Sequence, residues 1–149
     1  MMQTTPPPAL VERLVREFGA RWVDETSVDA WAGEGGDRVV LLAGDPVQFP
    51  EGLDVAVVLP EIQRCMGGRF AIAVVPRERE EAVARCFGSQ RWPALVFLRD
   101  GRYVTTLPGM HDWDEFVQRV VQALAMPVSR APTIGIPLVG AEPSGHACH

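Results

Sequence analysis

Three short, unbroken apolar runs constrain this sequence most: residues 39–43 (VVLLA), 70–75 (FAIAVV) and 94–98 (ALVFL). Each is too short for a buried helix and carries no charge, so each reads as a strand covered on both faces. Such strands need helices above and below the sheet, and the intervening stretches supply them. Leu10, Val11, Leu14, Val15 and Phe18 fall on one helical face that Gly19 terminates. Residues 53–66 carry a helical pattern with Pro60 inside it, and residues 79–87 a shorter one with Val83 and Phe87 on its apolar face. Asp112 precedes a last helix with Trp113, Phe116, Val117, Val120, Val121 and Leu124 on its core side. A short strand at 21–23 and a short helix through Val28 and Trp31, capped by Thr26 or Ser27, come before the first long run. Asp100-Gly101 is a tight-turn signal leading into a strand at 103–107, which makes a hairpin. Helix, β-α-β-α-β, hairpin and closing helix predict an α/β sandwich, a mixed central sheet with helices on both faces.

Composition narrows the partners. The 14 basic residues are all arginine and stand against 19 acids, for a net charge of −5. An acidic chain lacks the positive footprint that nucleic acid or an anionic membrane demands. No apolar run approaches the ~20 residues of a membrane span. The start, Met1 to Thr5 followed by three prolines, has neither the basic nor the apolar stretch of a signal peptide. Cys65, Cys86 and Cys148 are odd in number and widely spaced, so reduced thiols and a cytoplasmic location are expected. From Pro127 onward prolines and glycines recur too often for helix or strand, which predicts a flexible tail over 127–149. The expected organisation is a helical extension at 1–19, a domain at 20–126 and that tail.

The element order, the helix around Pro60 and the Trp92-Pro93 step opening the hairpin together resemble the thioredoxin fold. In that family the proline before the hairpin is cis, a state that an X–Pro bond adopts for about 0.5–1 kcal/mol. The family's Cys-x-x-Cys pair would fall at Gly52-Leu53-Asp54-Val55, and no cysteine is there. Disulfide exchange needs an attacking thiolate and a resolving thiol, and these residues offer neither. The run 39–43 contains no carboxylate, so the buried acid that relays protons in thioredoxins is expected to be missing.

A thioredoxin-like domain without the pair, with an added N-terminal helix, resembles the HyaE/HupG family of hydrogenase accessory proteins. The resemblance rests on Arg91-Trp92-Pro93-Ala94-Leu95-Val96-Phe97, Asp100-Gly101, Gly109-Met110-His111-Asp112-Trp113 and the Asp45-Pro46 loop. It implies a non-catalytic, cytoplasmic chaperone in nickel–iron hydrogenase maturation. Such a protein engages the small-subunit precursor, its twin-arginine signal peptide included, before export, and works beside other maturation factors.

The residues suggest where such a grip would lie. Between Arg38 and Arg64 there is no base, while Asp45, Glu51, Asp54 and Glu61 are acidic. Two readings of Glu51 and Asp54 stand open: partners of a helix dipole, or part of an acidic face that attracts paired arginines. Trp92 and Pro93 form either a packed turn or a sheet end whose unpaired backbone accepts an extended peptide. Asp45, Glu51, Asp54, Trp92 and Pro93 are the candidate partner-binding residues, with no catalytic residue, cofactor or metal site expected.

The alternative is a thiol-dependent redox protein of the thioredoxin superfamily using Cys65 or Cys86, although both positions suit small buried hydrophobes. The terminal His146-Ala147-Cys148-His149 offers three metal donors but no visible fourth.

Overall fold

The computed structural model describes residues 7–132. Its elements in chain order are α1 (Ala9–Phe18), β1 (Arg21–Trp22), α2 (Val28–Ala32), β2 (Asp37–Leu42), α3 (Glu51–Cys65) and β3 (Phe70–Val74). A 3-10 turn (Arg77–Arg79), α4 (Glu80–Cys86), β4 (Ala94–Arg99), β5 (Arg102–Pro108) and α5 (Trp113–Ala125) follow. The sheet runs β1-β3-β2-β4-β5. β1, β3 and β2 are parallel, and β4 is antiparallel to both β2 and β5.

The strand alternation explains the unbroken apolar runs. Val39, Leu41, Ile72, Val74, Leu95 and Phe97 face one way, onto Leu14, Leu59, Ile62, Phe116 and Val120 of α1, α3 and α5. Val40, Leu42, Ala73, Val96 and Leu98 face the other way, onto Val28 and Trp31 of α2 and Val83 of α4. Both faces are covered, so the buried middle of each central strand is apolar and charges stand only at the strand ends, such as Asp37 and Arg99. Each large side chain buried there contributes about 1.5–3 kcal/mol. Pro60 lies buried inside α3, and Gly19 ends α1 in the left-handed conformation at φ 74°.

Some local expectations change. Neither Ser27 nor Asp112, each at an N-cap position, makes a capping side-chain bond. Asp24 organises the first turn instead, accepting the Thr26 N–H at 2.8 Å and its hydroxyl at 2.6 Å. These bonds, the hydroxyl's foremost, hold the Asp24 carboxyl below its usual range. Residues 77–79 form a separate 3-10 turn ahead of α4, because Pro76 precedes them and the Arg79 N–H closes back onto its carbonyl at 2.8 Å.

The sheet's rims are short or interrupted. β1 is two residues long, and the β4–β5 ladder shifts register between Phe97 and Leu98. Past α5, the Ser129 N–H bonds the Tyr103 carbonyl at 2.8 Å and its hydroxyl bonds the Val104 carbonyl at 2.9 Å, on the outer rim of β5. Where β2 begins and β4 ends, Asp37 receives Arg99 Nε at 2.8 Å and Arg69 Nε at 3.4 Å. Arg99 also reaches the Leu124 and Met126 carbonyls at 2.8 and 2.6 Å, closing the C-terminal end of α5 with positive charge.

Candidate functional site

The opposite end of the sheet, where β2 finishes and β4 starts, is built by close approaches. After Ala43 the chain turns at Gly44 (φ 82°), where a side-chain carbon would lie 3.0 Å from Trp92 Cβ and 3.2 Å from Phe49 Cδ2. Only glycine suits both that conformation and that crowding. The loop then closes on itself, with the Phe49 N–H bonding the Asp45 carbonyl at 2.7 Å and the Gln48 N–H bonding Asp45 Oδ2 at 3.2 Å. The first turn of α3 presses so close to β2 that a Cβ on Gly52 would collide with the Ala43 carbonyl.

Across from this loop, the Trp92–Pro93 peptide is cis. Pro93 is buried and its carbonyl accepts the Gly109 N–H at 2.8 Å. Among the described residues, neither the N–H nor the C=O of Trp92 has a hydrogen-bond partner. A groove of roughly 480 Å³ opens here, lined by Phe49, Gln90, Arg91, Trp92, Pro108, Gly109 and His111. His111 Nε2 lies 2.9 Å from the Pro108 carbonyl, and its ring meets Phe116 edge-on at 5.5 Å. A carbonyl only accepts, so Nε2 carries the proton and Nδ1 faces Glu115 at 3.9 Å. The ring is thereby fixed as one side of the groove.

The structure brings Trp92 into the groove wall with Phe49, while Pro93 is buried and does not line the groove. Asp45 opens the loop that carries Phe49. Glu51 and Asp54 stand exposed on the first turn of α3 and do not line the groove. Among the described residues, Asp45, Glu51 and Asp54 have no ion-pair partner, whereas Glu61 pairs with Arg64 at 3.3 Å. Phe49, Arg91 and His111 line the groove but are not among the partner-binding residues expected from the sequence.

The sulfurs lie elsewhere. Cys65, expected to be buried, is a free and exposed cysteine at the last residue of α3. At 1.5 Å per residue that is ~20 Å from the helix start, where a thioredoxin carries its pair. Cys86 is disulfide-bonded, which corrects the expectation of a reduced thiol there. Gly52 and Val55, standing where that pair would be, are both buried. Among the described residues no cluster of His, Cys, Asp or Glu suits a metal ion. The His146–His149 segment is outside those residues. No helix among them is long and apolar enough to cross a membrane.

One expectation is overturned outright. A buried acid does sit at the end of β2, supplied by α4. Glu80 is 2% exposed, and its Oε2 accepts the Ala43 N–H at 2.8 Å and the Gly44 N–H at 3.2 Å. Burial pushes its carboxyl up to about 7, against the opposing pull of those two N–H groups and of Arg77. The signal was legible: Glu80, Val83, Ala84 and Phe87 follow an i, i+3, i+4, i+7 stripe, so a lone carboxylate shares an apolar face.

Fold and site together define a thioredoxin-like domain that keeps the cis-proline corner and lacks the cysteine pair. It resembles a Halobacterium salinarum thioredoxin over 72% of this chain and 93% of that one, with a TM-score of 0.58 at 16% identity, a likeness of fold alone. Residues 10–116 match the family of the hydrogenase-1 expression protein HyaE, and the chain belongs to that family. It is 55% identical over 148 residues to the hydrogenase expression/formation protein HoxO of Cupriavidus necator, covering 98% of this chain and 91% of the relative. The HupG protein of Rhizobium leguminosarum bv. viciae is 38% identical over 137 residues, with 89% and 92% covered. A crystal structure of a Rhodopseudomonas palustris HupG protein matches 70% of this chain and 95% of its own, at 34% identity and a TM-score of 0.50.

Proposed function

We propose that this chain is a non-catalytic helper in hydrogenase maturation that grips the hydrogenase small-subunit precursor, and its twin-arginine signal peptide, at the Trp92–Pro93 end of the sheet. Membership of a hydrogenase expression family supports the client, and the site supports the mode. The observation that carries it is the main chain of Trp92, which has no hydrogen-bond partner among the described residues and sits in a groove walled by Phe49, Trp92 and His111. Free N–H and C=O groups at a sheet end offer an extended peptide the main-chain bonds it needs. Asp45 opens the loop that carries Phe49, Glu51 and Asp54 follow on the first turn of α3, and among the described residues none of the three has an ion-pair partner; guanidinium–carboxylate contacts are the strong, charge-assisted kind. Exposed charges are screened beyond ~8 Å at physiological salt, so such binding weakens as salt rises.

Calorimetry with a synthetic twin-arginine precursor peptide tests this at low and high salt. Binding is expected to weaken with salt and in the Asp45→Asn, Glu51→Gln, Asp54→Asn triple variant. Affinity indifferent to both sinks the electrostatic grip. A second reading, a thiol-dependent redox protein, has the exposed Cys65 in its favour. Insulin-disulfide turnover by the purified protein, abolished by Cys65→Ser, is the result that would favour it.

A further inference from the structure

We infer that Glu80 is a positioning residue for the groove, a buried carboxyl that fixes the β2–α3 loop from behind and so sets the wall against which a client peptide lies. This rests on the reading of the groove as the grip. Ala43 and Gly44 leave the sheet at a point where the next strand no longer supplies acceptors, and their N–H groups point into the interior. Glu80 Oε2 takes both, so one carboxyl oxygen replaces two ladder partners. A buried donor stripped of its acceptor is left with its desolvation uncompensated, so the turn holds its shape only while this acceptor is present. The chain of contact onward is short. A side-chain carbon placed on Gly44 would lie 3.0 Å from Trp92 Cβ and 3.2 Å from Phe49 Cδ2, so the turn has little room to shift toward either residue, and both line the groove.

The charges around the carboxyl are few. Arg77 from the 3-10 turn approaches Oε1 at 3.5 Å. The loop contributes Asp45, whose carboxylate is turned to the Gln48 N–H. On either side of Glu80 in sequence, Arg79 pairs with Glu25 and Glu81 is exposed. Glu80 itself touches no groove space, so it acts through the backbone.

Amide NMR with precursor-peptide binding tests the assignment. In the wild type the Ala43 and Gly44 amide shifts should titrate with a midpoint near 7, because their acceptor ionises there. Glu80→Gln keeps an acceptor oxygen. It should hold amide exchange at Ala43, Gly44 and Phe49 and peptide affinity within about threefold of wild type while abolishing that titration. Glu80→Ala should speed exchange at the three amides and weaken the peptide by about tenfold or more. Wild-type shifts that do not titrate, or exchange in Glu80→Ala equal to wild type, overturn the inference. If Glu80→Ala fails to fold, the titration lost on Glu80→Gln still decides it. A wild-type protein that binds no precursor peptide but shows the titration and the exchange response refutes the gripping role and leaves the positioning role standing.

Discussion

At the hairpin end of the sheet, Asp37 sits between Arg99 and Arg69, and Arg99 continues to two carbonyls at the close of α5. At the other end, Trp92 presents a bare main chain, and Asp45, Glu51 and Asp54 carry charges with no opposite number among the described residues. The arginines of the first end are partnered to acids and helix ends, so that end is committed to holding the fold. The second end keeps its polar groups unspent and relies on close backbone packing and one buried carboxyl for its shape. Polar groups that stabilise are already satisfied, and polar groups that recognise must be left available.

The separation can be broken by substitutions at either end. The largest effect should come from the buried carboxyl. Glu80 holds its proton to about pH 7 in the folded state against 4.5 for an ordinary glutamate. Between those values the folded protein binds a proton that the unfolded chain has lost. The resulting stability is complete below pH 4.5 and disappears as pH rises through 7, by about 3 kcal/mol. Urea midpoints from pH 4 to 8 should fall in the wild type and stay flatter in Glu80→Gln, and parallel curves would remove Glu80 from the account. Next is Gly52→Ala, expected to cost about 2–3 kcal/mol because its methyl group enters the Ala43 carbonyl. Unfolding at unchanged stability would mean that α3 is free to step away from β2. Asp37→Ala should lose about 2 kcal/mol, since it removes hydrogen bonds to two guanidinium groups on a partly exposed site. It should leave peptide affinity untouched, and a binding defect there would erase the contrast between the ends. Smallest, the Asp45, Glu51 and Asp54 amide triple should shift stability by less than about 0.5 kcal/mol while weakening peptide binding roughly tenfold at low salt.

The layers were legible because they follow from periodicity. Runs 39–43, 70–75 and 94–98 became β2, β3 and β4, and Pro60 and Trp92-Pro93 marked the helix and the corner. The hairpin followed from Asp100-Gly101 and the closing helix from the stripe through Phe116, Val120 and Leu124, but Trp113 and Val121, expected on its core side, are exposed. Caps were less legible, because a Ser or Asp at the right place does not dictate which donor it meets. Asp24 won that competition at α2. The inner support of the site was missed for a plainer reason. Glu80 lies 37 residues beyond Ala43, and the acid was sought on the strand when the fold supplied it from a helix. Arg91 and Phe49 join only once two loops converge, a juxtaposition with no trace in local spacing.

The sheet's outer rims carry a consequence for any protein that handles an unfolded client. A long bare strand edge is a template on which extended chains stack into aggregates. Here one margin is two residues long and the other is bulged and met by Ser129. An extended chain would find little ribbon to zip along at these rims. Under the proposed gripping role, short and interrupted rims would keep the protein from co-aggregating with its client.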